Sequence, residues 1–266
     1  MPTVRTRAGE LAYDELGTGA PLLLVHSAAH DRRDWDAIRT ELAGRYRTVA
    51  VDLPAHGESP APRSDWQPSA AGIADLVEDV VDRLGLGPTS VLGSSVGGFA
   101  AARLAIRRPE AVRALVLVDH GGFGDYPLGV RLFCRALGLP PLLRLLYPGF
   151  ARTYMRSSSA HDRAVLREAQ RLRRRPARAE VVAGLWRSFP GPEHSLESRA
   201  GEITAPTLIV WGRRDPVIPI SAGRRAGELI PGARFVSMDT GHLPFTSDPA
   251  GFLAHVLPFL AAVPAG

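Results

Sequence analysis

The chain has no lysine, one cysteine and no long uninterrupted apolar run, and each shortage removes a class of answers. A lone cysteine, Cys134, cannot make an internal disulfide, so this is not a cross-linked secreted scaffold. The most apolar long region, 128–147, is broken by Arg131, Arg135, Gly138, Pro140, Pro141 and Arg144. A membrane span needs about 20 mostly apolar residues, so this region is not one. The opening residues Met1-Pro2-Thr3-Val4-Arg5 carry no apolar stretch of signal-peptide length. A cytoplasmic location is the expectation. No spacing of His or Cys suits a metal ion, and no cofactor motif stands out. Because lysine is missing, all 32 basic residues are arginine. The 27 acidic residues are interspersed with them, and the net charge is only +5. That pattern reads as codon bias rather than as a nucleic-acid surface.

What is present is enough for a large core. The chain has 266 residues, 45% of them hydrophobic. Residues 3–7 and 10–16 read as a hairpin turned at Ala8-Gly9. Residues 21–26 form an apolar run of buried-strand type, and 46–52 form another strand. Residues 33–44 read as a helix. Residues 69–84 place Ile73, Leu76, Val77, Val80, Val81 and Leu84 at helical spacing, ended by Gly85. Strands at 88–94 and 113–119 flank a helix at 96–108. This alternation predicts a mostly parallel sheet covered on both faces. It stops at Asp119 and resumes at Ala205. The intervening segment is rich in Arg, Leu and Pro. Within it Arg163, Arg167, Arg171, Arg174 and Arg178 recur at helical spacing on one face, which reads as a solvated face or, alternatively, as a docking site for an acidic substrate, carrier or partner.

Chemistry enters at Gly93-Ser94-Ser95-Val96-Gly97, which lies between an apolar run and a small-residue helical stretch. A strand, a sharp turn and a helix in that order make a nucleophile elbow, with Ser95 lifted clear of the sheet. A serine needs a base and a group to orient that base. Two further strand-like runs supply them in order, one ending in Arg213-Arg214-Asp215 and one in Asp239-Thr240-Gly241-His242. Asp215 and His242 are the candidate acid and base. Developing negative charge on an attacked carbonyl needs donors, and the Val96 backbone N–H, at the start of the elbow helix, is one.

Together with Val25-His26-Ser27-Ala28 and Asp52-Leu53-Pro54-Ala55-His56-Gly57-Glu58-Ser59, these segments make the chain resemble an α/β-hydrolase over nearly its whole length. The resemblance implies a mostly parallel eight-stranded sheet with helices on both faces. It implies a core of residues 1–121 and 201–266 and an inserted helical cap at 122–200. It implies a cofactor-free serine hydrolase that cleaves a small apolar ester, thioester or lactone through an acyl-enzyme. The second oxyanion donor falls at Ala28. The family's usual opening is His-Gly, and Ser27 in that place leaves the loop's shape open. Ser27 and Ser94 are candidates to face the pocket. His26 reads as structural, and His30 as either cap entrance or surface. Asp52 and Ser59 read as supports of a turn. Asp119, which ends the strand after the elbow helix, is an alternative acid. Cap residues Leu132, Phe133, Leu137, Leu139, Leu142, Leu143, Leu145 and Leu146 are expected to divide between packing and an apolar pocket. A non-hydrolytic or C–C-cleaving use of the same triad remains: C–C hydrolase, lyase, cyclase or cofactor-free haloperoxidase. The hydroxynitrile lyases of this fold carry a lysine after the catalytic histidine, where Leu243 stands. A small-molecule substrate is implied, and the oligomeric state is open.

Overall fold

The computed structural model describes residues 1–155 and 159–263; residues 156–158 of the expected cap and 264–266 of the expected core lie outside that range. Eight strands form one sheet: β1 (Thr3–Thr6), β2 (Gly9–Leu16), β3 (Pro21–Val25), β4 (Arg47–Val51), β5 (Thr89–Ser94), β6 (Val112–Val118), β7 (Thr207–Gly212) and β8 (Arg234–Met238). Their order across the sheet is β1-β2-β4-β3-β5-β6-β7-β8. Strand β2 runs antiparallel to both β1 and β4, and every other pairing is parallel. The chain leaves β3 for β4 on one side and returns to β5 on the other. Ligands in such sheets bind beyond the strand ends at this switch point.

The central strands are apolar on both faces because helices cover both. In β3, Leu22, Leu23, Leu24 and Val25 are all fully buried, each worth about 1.5–3 kcal/mol of transfer free energy. Their side chains alternate. Leu23 and Val25 join one core cluster with α2 (Ala70–Arg83) and α3 (Val96–Arg107). Leu22 and Leu24 join the other, with Trp35 and α1 (Asp36–Ala43). Trp35 stacks on Phe245 with ring centroids 4.2 Å apart.

Between Val118 and Thr207 the described residues contain no strand. Four helices occupy this stretch: α4 (Leu128–Leu137), α5 (Pro140–Met155), α6 (Ala160–Gln170) and α7 (Pro176–Ser188). They pack onto the second core cluster. The remaining helices, α8 (Ile220–Leu229), α9 (Pro244–Ser247) and α10 (Pro249–Ala261), flank β7 and β8.

Two local expectations need correction. The helix expected from Arg33 opens as a 3₁₀ turn, Arg32–Trp35, with the Asp31 carboxylate capping the Arg33 N–H. The arginine stripe is not one helical face. Helix α6 gives way to a 3₁₀ turn at Arg171–Arg174, and Arg175, which precedes Pro176, leaves the helical region. Arg178 turns inward, 3.5 Å from Asp31 and 3.3 Å from Glu168. No helix among the described residues is long and apolar enough to cross a membrane.

Candidate active site

The elbow forms because its glycines let backbone approach backbone. A Cβ on Gly97 would come within 2.2 Å of the Val25 carbonyl, and one on Gly93 within 2.4 Å of the Gly97 carbonyl. Between them Ser95 takes φ 54° and ψ −116°, a left-handed conformation that costs a non-glycine residue on the order of 1–3 kcal/mol. The surrounding structure enforces it: Ser95 N–H donates to the Val118 carbonyl (2.9 Å). Such a turn puts Ser95 at the N-terminus of α3, where the Val96 N–H lacks an intrahelical acceptor. Ser95 and Val96 both line a cavity of about 280 Å³ at the sheet's edge.

His242 lies on the loop after β8 and lines the same cavity. Its Nδ1 meets Asp215 Oδ2, on the loop after β7, at 2.7 Å. An N–H donated there leaves the Nε2 lone pair available as a base. Asp215 is itself held by accepting the Val217 N–H (2.7 Å). The alternative acid Asp119 is close but differently employed. It is fully buried, at φ 41°, and its Oδ1 accepts the Gly212 N–H (2.9 Å). Burial, and then the charge of Asp215, pushes its carboxyl well above the usual range. A protonated Asp119 can donate to Asp215, which gives a partner to an oxygen that otherwise has none. Ligand atoms of Asp119, Asp215 and His242 all lie within 4.8 Å of one another. With one carboxyl neutral and the histidine engaged at Nδ1, the cluster suits acid–base work better than coordination of a cation.

The loop after β3 settles the question raised by Ser27. His30 N–H closes a four-residue turn onto the Ser27 carbonyl (3.3 Å). The left-handed residue of that turn is Ala29, at φ 64°, and Ser27 is not among the positive-φ residues. A glycine is therefore not required at 27. His56 Nε2 accepts the Ala29 N–H (3.1 Å), while among the described residues nothing accepts that of Ala28. Ala28 lines the cavity. Of the two candidate pocket serines, Ser27 lines the cavity and Ser94 does not. Ser94 is fully buried as the acceptor of the Ser27 hydroxyl (2.9 Å). His26 is structural in its contacts: Nδ1 meets the Ser27 carbonyl (2.7 Å) and Nε2 accepts the Leu53 N–H (3.0 Å). Asp52 accepts the N–H groups of Arg32 and Glu58 and pairs with the Arg32 guanidinium, and Ser59 donates to the Asp52 carbonyl.

His30 is neither surface nor merely entrance. It is buried, with Nδ1 2.7 Å from Asp34 Oδ2 and Nε2 2.8 Å from the Tyr154 hydroxyl. The Tyr154 hydroxyl also meets that of Tyr147 at 2.6 Å. The Tyr154 ring lies edge-on to His242 at 5.7 Å, and its carbonyl accepts the His242 N–H (3.1 Å). Tyr154 thus touches both the loop bearing His242 and the loop bearing Ala28. Sequence reading missed Asp34, Tyr147 and Tyr154. The available signal was the spacing of the two tyrosines, seven apart and so on one helical face.

The rest of the wall is aromatic rather than leucine-rich. Tyr126, Phe133, Phe150, Trp186 and Phe189 line the cavity. Of the expected cap residues only Phe133 does. Leu137 and Leu143 are buried in packing, and Leu132, Leu139, Leu145 and Leu146 are exposed. Neighbouring rings of this wall meet edge to face, as Phe150 and Trp186 do at 5.8 Å. Cys134 also lines the cavity, and burial pushes its thiol up to about 11.

Comparison with known proteins agrees with this geometry. Residues 20–249 match the family model of the alpha/beta hydrolase fold. A pimeloyl-[acyl-carrier protein] methyl ester esterase of Nitrosomonas europaea is 31% identical over 256 residues, covering 90% of this chain and 94% of the relative. A 2-hydroxy-6-oxononadienedioate/2-hydroxy-6-oxononatrienedioate hydrolase of Pseudomonas putida is 30% identical, covering 96% and 94%. The enol-lactonase of Burkholderia xenovorans superposes with a TM-score of 0.84 at 21% identity, covering 98% of this chain and all of that one, a likeness of fold.

Proposed function

The chain belongs to the alpha/beta hydrolase fold family, and from that premise we propose that it is a serine hydrolase of small, largely apolar carboxylic esters, thioesters or lactones. The observation that carries this reading is the Asp215–His242 hydrogen bond at the same cavity as an elbow serine. In this scheme His242 Nε2 takes the Ser95 proton as Oγ bonds to the acyl carbon. Asp215 holds the tautomer and stabilises the imidazolium. The N–H groups of Val96 and Ala28 receive the oxyanion, each worth about 10²–10³ in rate. The intermediate collapses as His242 returns the proton to the leaving alcohol, thiol or lactone oxygen. Water, deprotonated by the same nitrogen, then cleaves the acyl-enzyme. Residues 122–200 serve as the cap over a core of 1–121 and 201–266, and no step calls for a cofactor.

The C–C-cleaving alternative is less well supported. The substrate named for the Pseudomonas putida relative is a dioate, which carries two carboxylates. Among the described residues no arginine lines this cavity. Turnover of a p-nitrophenyl ester chain-length series, lost in Ser95→Ala, tests the proposal. A folded protein that turns over none of the series overturns the ester reading.

A further inference from the structure

Large apolar side chains are exposed in one region. Of the nine such residues among those described, all but Met1 and Leu16 lie on α4, α5 and their connection. Leu128 is 72% exposed and Leu145 is 74% exposed; the exposed Leu132 and Leu139 lie between them in sequence, and Leu146 follows directly. The two helices pack against each other, and α4 also borders the cavity through Val130 and Phe133.

The charge in this region is equally segregated. Between Asp125 and Asp162 the sequence contains five arginines and no acidic residue. Elsewhere among the described residues many arginines are neutralised, such as Arg7 by Asp79, Arg47 by Glu15, Arg108 by Glu110 and Arg199 by Glu202, while others, Arg45 and Arg113 included, stand singly. Among the described residues no carboxylate pairs with Arg131, Arg135, Arg144 or Arg152, and all four are exposed. At the far end of α5, Arg152, Arg167, Arg171, Arg173 and Arg174 line a shallow basic recess.

We propose that α4 and α5 dock this protein on the surface of an anionic phospholipid bilayer, with the cavity mouth beside the lipid. Leucines interleaved with arginines are the composition of an interfacial helix, whose apolar side chains enter the acyl boundary while its cations meet phosphates. A bilayer supplies both partners at once. A second copy of this chain does not, because a two-fold contact would place two acid-free, arginine-rich faces against each other. An acidic protein would pair with the arginines and leave leucines of this exposure uncovered. The docking surface is independent of the chemistry at Ser95, so its failure and that of the hydrolase reading are separable.

Co-sedimentation with vesicles of equal parts phosphatidylglycerol and phosphatidylcholine, against phosphatidylcholine alone, tests it. The native protein and Ser95→Ala bind the anionic vesicles equally, and high salt weakens both. The pair Arg131→Gln/Arg135→Gln weakens binding by about fivefold per arginine. The pair Leu132→Ser/Leu145→Ser weakens it at least about tenfold. Both pairs keep native turnover of a soluble short-chain ester, since none of the four residues lines the cavity. Equal binding to neutral and anionic vesicles, or binding unchanged in both double variants, overturns the proposal. So does a dimer in light scattering that Leu132→Ser/Leu145→Ser dissociates.

Discussion

Two Asp–His pairs present their imidazoles to the cavity. Asp215 and His242 meet at 2.7 Å in a hydrogen bond, whereas His30 Nδ1 and Asp34 Oδ2 lie equally close without hydrogen-bond alignment. Their outer nitrogens differ. His30 Nε2 is engaged by the Tyr154 hydroxyl. His242 Nε2 has no hydrogen-bond partner among the described residues and lies at the cavity that Ser95 lines. A carboxylate beside an imidazole does not make a base; an unoccupied second nitrogen does. The pair on the loops after β7 and β8 therefore carries the proposed proton transfer. The pair after β3 positions Tyr154, which in turn holds the His242 backbone.

Of the two pairs, the one at Asp215 is the more sensitive to substitution. Asp215→Asn is expected to cut kcat by about 10⁴, the scale of losing the correct tautomer in such triads. Asp34→Asn should cost no more than about tenfold, and steady-state kinetics on one ester separates the two. Asp119 sharpens the same contrast. Its raised pKa means the folded state favours the neutral carboxyl. The stability it contributes is complete below the unfolded value near 3.8 and is lost as pH rises. Asp119→Asn fixes the neutral state, so it should keep activity within about tenfold and melt higher than native at neutral pH.

Smaller effects follow at Tyr154 and His120. Tyr154→Phe keeps the ring and the carbonyl that holds His242 but frees His30 Nε2. We expect kcat to fall about tenfold with KM unchanged; a change in KM alone would make Tyr154 a binding residue. His120 packs edge-on to Trp211 (5.4 Å), and burial pushes its pKa down to about 4. A depressed histidine stabilises the fold fully above its unfolded value of about 6.5 and loses that contribution as pH falls toward 4. His120→Gln should therefore flatten stability across that window by up to about 1.4 kcal/mol per pH unit, measured by denaturant titration at several pH values.

Much of the frame was legible because it depends on local pattern. Buried strands advertise themselves as apolar runs, as in Leu22–Val25, and the elbow shows as a glycine pattern within five residues, although the contact that demands Gly97 is with Val25 on another strand. What the sequence concealed depends on long-range placement. Nothing near His30 signals that Tyr154, 124 positions away, will meet its ring. The arginine periodicity continued through Arg178 although Pro176 had already started a new helix. The leucines of α4 and α5 read as divided between packing and pocket wall, yet helical phase turned Leu132 and Leu145 to solvent and gave the cavity to aromatics.

Labelling with a fluorophosphonate probe tests most directly the claim that only one of the two pairs activates a serine. Native protein and His30→Ala should label, while Ser95→Ala and His242→Ala should not. Labelling that survives in His242→Ala and disappears in folded His30→Ala would contradict the account.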